Sequence, residues 1–207
     1  MSKLDNATIS RIESERTKVD VVACIASFVD ALACLIFLLW QTKLTNVGRS
    51  YIECIVDPVT CLIGYWGFYR RLHDTDTILA DIGLGFLVLG TLFLTCQNAV
   101  EDLASLNFLW LQGDTPKEVD SFLELLVAFT LPLGLAIYAW LIGSSSALRR
   151  WLGFMIGVQV LLFFIDMSSF RLPVLSQFVT SQLFTVYAII LSTAKAIWFL
   201  SPQRRSR

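Results

Sequence analysis

Long apolar blocks alternate with short polar breaks along the whole chain, and the blocks set the elements. Six of them, at roughly 19–40, 50–70, 77–98, 119–143, 147–166 and 173–200, reach about the 20 mostly apolar residues that a helix needs to cross a bilayer. The pattern predicts an all-α protein, a polytopic integral membrane bundle of six transmembrane helices forming one domain over 19–200. Residues 1–18 form a polar segment before it, and 201–207 a basic tail after it. The polar stretch MSKLDNATISRIESERTK is long for the leading region of a cleaved signal, and no small-residue cleavage site ends the run LIFLLW. The first helix is therefore expected to be retained. LASLNFLWL (103–111) is apolar but too short to span, so it lies in the interface or prolongs the third helix. In GDTPKE, Thr115 as N-cap, Pro116 in the first helical position and Glu118 two residues further on make a helix start.

Inside lipid, apolar side chains gain little by leaving the tails for one another, so helix contacts rely on small residues and polar groups. The first helix has such a stripe in Ala23, Ser27, Asp30 and Cys34. Gly153 and Gly157 form a GxxxG on the fifth, and Gly83 and Gly90 lie a heptad apart on the third, with Gly85 nearby. These faces predict a tight bundle, or a homo-oligomer built through the glycine-rich faces. Pro58 and Pro132 should bend the second and fourth helices, Pro58 by removing the hydrogen bond to the Cys54 carbonyl.

Composition agrees with the pattern. The chain is 56% hydrophobic and only 16% charged, against about a quarter charged in soluble domains. The net charge of −1 excludes a basic footprint for nucleic acid. How the charges are distributed says more than their sum. With six spans, one side holds Lys3, Arg11, Arg16, Lys18, Arg70, Arg71, Arg149, Arg150, Lys195, Arg204, Arg205 and Arg207, while the other holds Lys43, Arg49, Lys117 and Arg171. That twelve-to-four bias places both termini in the cytoplasm. Trp40 and Trp110 at outer ends, and Trp140, Trp151 and Trp198 at inner ends, fit interfacial belts.

The chemistry-bearing residues are carboxylates within the spans. Asp30 falls near the middle of the first helix, and Asp57 lies within roughly 5 Å of the middle of the second at 1.5 Å rise per residue. Glu53 shares the face of Asp57, four residues before it. Gln97, Glu124, Asp166, Gln177 and Gln182 lie in the outer halves of the other helices, whereas the inner half has little beyond Asp81. These eight acids and amides predict a polar pocket opening outward. An ionised carboxylate at the bilayer centre costs at least about 2.5 kcal/mol. A proton shared by Asp30 and Asp57, a bound cation, or a hydrogen bond from Ser27 or Thr60 would each offset that cost. Lys195 lies about one turn from the inner end and is expected to snorkel to the headgroups.

Other motifs exclude functions. The five cysteines are all in apolar runs without C-x-x-C, which argues against a disulfide framework. The one histidine, His73, precludes a bis-histidine haem, and its RRLHDTDT setting predicts a helix cap instead of a metal site. No phosphate-cradling glycine loop, nucleophile elbow or zinc motif occurs, so neither cofactor nor metal is expected. Residues 132–158, PLGLAIYAWLIGSSSALRRWLGFMIGV, resemble a hairpin seen in some uncharacterised bacterial six-pass membrane proteins. That resemblance implies a bacterial inner membrane and carries no site residue.

Three functions remain. The first is a small carrier or channel-like protein whose outward pocket handles a proton, cation or small solute. The second is a non-catalytic membrane partner or assembly factor. The third is an intramembrane acid–base enzyme acting on a lipid or isoprenoid.

Overall fold

The computed structural model describes residues 6–40, 51–105, 115–143, 147–168 and 181–201, and these are helical apart from the 73–76 turn and Ser201. The helices are α1 (Asn6–Trp40), α2 (Asp57–Leu72), α3 (Thr77–Ser105), α4 (Thr115–Gly143), α5 (Ala147–Ser168) and α6 (Ser181–Leu200), with a π-helical turn (Ile52–Val56) leading into α2. Helix three is thus prolonged to Ser105, and the rest of the 103–111 stretch lies outside the described residues.

Each helix packs on the next, and α1 closes on α6, so the six form a ring. The residues explain why this ring suits lipid better than water. On α1 the inward face is small or polar (Ala23, Ala26, Ser27, Asp30), while Val22, Ile25, Phe28, Leu32 and Leu39 are outward and exposed. Large apolar side chains outside and small ones inside invert a soluble helix, but suit close helix approach in hydrocarbon. Three stretches, Thr17–Leu39, Thr77–Glu101 and Lys117–Gly143, are long and apolar enough to cross a membrane, and Arg150–Phe164 and Thr185–Leu200 are shorter apolar helices. The chain is a membrane-embedded helical protein.

The glycines act mainly within the chain. A Cβ on Gly90 would sit 2.9 Å from the backbone nitrogen of Leu131, and one on Gly153 would sit 2.7 Å from the Ala139 carbonyl oxygen. Backbone cannot retreat as a side chain tip can, so α3 meets α4, and α4 meets α5, at distances only glycine allows. Gly83 packs against the side chains of Tyr138 and Ile137, not against backbone, whereas Gly85 and Gly157 have open space around them. The GxxxG motif on α5 is therefore split: Gly153 is used in the α4 contact and Gly157 is not.

Two expectations about the end of the bundle at the 73–76 turn need correction. Trp198 is 3% exposed and packs on Phe68 and Phe199, so it is a core residue and not part of a belt; Trp140 and Trp151 are exposed as a belt requires. Asp81 is exposed on α3 and not buried. The buried charge at this end is Arg71, whose Nε donates to Asp20 Oδ1 at 2.8 Å and whose Nη1 donates to the Trp198 carbonyl at 2.7 Å. Nη2 donates to the Phe199 carbonyl as well. Arg71 thereby caps the C-terminus of α6 and ties it to α1 and α2. In the adjoining turn Asp76 Oδ1 accepts the Leu79 N–H at 3.0 Å, so the acidic turn caps α3 as its composition predicts.

Candidate functional site

Pro58 shapes the entry to α2. It has no N–H, and the chain before it takes a π turn in which the Asp57 N–H reaches the Ile52 carbonyl. In that register the Glu53 carbonyl would take its hydrogen bond from residue 58, which has none to give. The Glu53 carbonyl accepts from Asn98 Nδ2 on α3 at 3.4 Å. A π bulge widens the helix locally and rotates the side chains that precede it. Here it lies directly before Asp57.

Asp57 and Asp30 come together in the bundle. One oxygen of each carboxyl group and Cys61 Sγ all lie within 4.8 Å of one another. Ser192 Oγ on α6 donates to Asp30 Oδ2, and Cys61 Sγ donates to Asp57 Oδ1 at 3.8 Å. Neither Ser27 nor Thr60 serves the acids. Ser27 Oγ donates to the Ala23 carbonyl, and Thr60 Oγ1 to the Val56 and Asp57 carbonyls. Asp30 lies near the middle of Thr17–Leu39, the stretch of α1 long and apolar enough to cross a membrane.

The acids face a cavity of about 300 Å³ walled by the ring. Every helix contributes to its wall: Asp30, Cys34 and Phe37 from α1, Asp57, Cys61 and Tyr65 from α2, Leu94 from α3, Leu131 and Leu135 from α4, Gln159 and Phe163 from α5, and Ser192 and Lys195 from α6. Its lining extends from Lys195 and Tyr65 to Phe37, Glu53 and Thr185. It therefore runs toward the end of the bundle opposite Arg71, Asp20 and Phe199.

Lys195 is the main departure from expectation. It is 8% exposed and lines the cavity, and its charge acts on Asp57. It does not snorkel. A lysine one turn from a helix end reaches the headgroups only if its helix face points to lipid, and this face points to α1. Asp30, Asp57 and Cys61 could geometrically hold a metal ion, but the nearby ammonium repels a divalent cation, and two carboxylates with one thiol mix hard and soft ligands.

The remaining predicted residues divide. Glu53 lines the cavity near its mouth. Gln97 and Glu124 are half-buried on α3 and α4 and are not part of its wall. Asp166 and Gln182 stand on helical backbone with side chains outside the described residues, and Gln177 is outside them altogether. Sequence reasoning missed Ser192, Cys61, Tyr65, Gln159 and Asn98, whose relevance depends on which way each helix is turned. Chemically, the cluster can hold and release a proton, with a cation, two carboxyls, a hydroxyl and a thiol facing one space. No family model, no curated protein and no solved structure matches the chain.

Proposed function

We propose that the chain is a six-span carrier with both termini cytoplasmic, and that its central cavity is the site where a small solute and a proton bind. The observation that carries this reading is the pair of buried Asp30 and half-buried Asp57, which shares with Lys195 a cavity walled by all six helices. Intramembrane ionisable groups are costly, and those facing a cavity commonly mark a solute or proton pathway. A pair used only to set helix register needs no cavity beside it. The acids and Lys195 lie deep, while the wall continues outward to Phe37 and Glu53, as an outward-open state of a carrier would require.

The six-span topology is supported by the ring order and by charge. With Lys195 assigned to the cavity, eleven Lys and Arg remain on the side of the termini against four on the other. Fusing alkaline phosphatase or a cytoplasmic fluorophore to each terminus tests it: fluorescence without phosphatase activity is expected at both ends, and an active phosphatase at either terminus refutes the orientation.

The functional test is flux. Purified protein in proteoliposomes should dissipate an imposed pH gradient faster in the presence of a transportable solute than in its absence. A screen of small solute classes that leaves the gradient as stable as in protein-free vesicles would refute the carrier reading.

A further inference from the structure

The cavity contains two polar groups of opposite need. Lys195 is more than nine-tenths buried, lines the cavity, and makes no hydrogen bond or ion pair with any other described residue. Its ammonium lacks an acceptor. Gln159, in the same wall, has a buried Oε1 with no donor. An unmatched buried acceptor such as Gln159 Oε1 costs about 1–3 kcal/mol, and the Lys195 ammonium stands open to the same cavity, so one ligand there would serve both.

Charge narrows what that something is. If Asp30 and Asp57 share one proton, the pair carries a single negative charge, and Lys195 balances it. A ligand with net charge would leave that charge uncompensated near the bilayer centre, whereas a net-neutral one would not. Yet the ligand must still offer an acceptor to Lys195 and a donor to Gln159 and Asp57. A zwitterion does both. The rest of the wall is apolar and aromatic, with Phe37, Leu94, Leu131 and Phe163, which suits an uncharged hydrocarbon side chain. A volume of about 300 Å³ is at the low end for ligand pockets and admits a single amino acid, not a peptide.

We propose that the cavity binds an aliphatic or aromatic amino acid as its zwitterion, with the ammonium between Asp57 and Gln159 Oε1 and the carboxylate at Lys195. The inference deepens the carrier reading and rests on it for its role in transport.

Three probes sharing one phenyl side chain test it by calorimetric titration of the purified full chain in detergent. Phenylalanine carries both charges, 2-phenylethylamine lacks the carboxylate, and 3-phenylpropanoate lacks the ammonium. Phenylalanine should bind, and each of the others at least tenfold more weakly. Lys195→Met should remove the advantage of phenylalanine over phenylethylamine, and Asp57→Asn should weaken both of these amines. If either single-charge probe binds as tightly as phenylalanine, or if neither phenylalanine nor leucine binds to the wild-type protein, the inference is overturned. The two readings fail separately. Proton-coupled flux of another solute without amino-acid binding overturns the inference alone, and amino-acid binding without flux overturns the carrier alone.

Discussion

Asp57→Asn should leave the protein folded and abolish proton-coupled flux. Asparagine is nearly the same size as aspartate, and its amide can still accept from Cys61 Sγ and donate to Asp30, so the contacts around position 57 survive. It cannot exchange a proton. If Asp30 and Asp57 act as one proton-holding unit, removing either exchangeable site removes the function of the pair, because interacting carboxyls titrate together. Flux driven by an imposed pH gradient should therefore fall by more than about tenfold, which corresponds to roughly 1.4 kcal/mol or more in the barrier, while the thermal midpoint in detergent stays within a few degrees. Asp30→Asn should behave in the same way, with Ser192 Oγ still supplied with an acceptor. The bland view, in which the acids only fix helix register, predicts the opposite ordering: unchanged transport in a well-folded Asn variant. A wild-type rate in the Asp57→Asn protein would end the proton-pair argument.

What could be seen in the residues depended on whether spacing alone settles a side chain's direction. The stripe Ala23, Ser27, Asp30 and Cys34 was legible because its spacings of four, three and four keep one helix face, and that face does turn inward. The Asp30–Asp57 encounter was legible as well, since consecutive antiparallel helices are neighbours and both acids lie at similar depth. Asp30's hydrogen-bond donor was not, because Ser192 belongs to the last helix, and nothing local says that α1 closes on α6. Lys195 and Trp198 show the same limit in another form. Their depth near the end of α6 suggested headgroup contacts, but depth leaves the rotation of the helix open, and both point into the bundle. Pro58 marked a break correctly, yet the carbonyl it frees depends on whether the chain before it adopts an α or a π register. The π turn opens that choice at Glu53, whose carbonyl accepts from Asn98, and so brings Asn98 into the account.

Arg71 carries the largest expected effect on stability. Counted from sequence among the charges of one side, it is also the joint between three helices at the end of the bundle near the 73–76 turn. Its side chain is 5% exposed, and its guanidinium reaches Asp20 on α1 and two terminal carbonyls of α6. It also lies over the Trp198 ring at 4.5 Å from the centroid. The last carbonyls of a helix have no partner within it, and a cation there meets both the unpaired oxygens and the negative end of the helix dipole. Arg71→Ala leaves Asp20 without its cation and removes the guanidinium from the Phe199 carbonyl, while the Trp198 carbonyl keeps the Ser201 N–H and hydroxyl. Breaking a buried pair in this way costs about 3–5 kcal/mol, and for a chain of this size that should lower the thermal midpoint by roughly 10 °C. Arg71→Lys should recover only part of the loss, since a single ammonium cannot copy the planar fork that serves a carboxylate and two carbonyls at once. A double-mutant cycle with Asp20→Asn separates the ion pair from the cap. If the cap matters more, Arg71→Ala should remain strongly destabilising in the Asp20→Asn background, because the Phe199 carbonyl loses the guanidinium in either case. Thermal unfolding of the four proteins in one detergent, followed by near-ultraviolet circular dichroism, measures all of these terms. An Arg71→Ala midpoint within about 2 °C of wild type, under 1 kcal/mol by the same scaling, would mean that this end of the bundle is held by the packing of Phe68, Trp198 and Phe199 and not by the guanidinium.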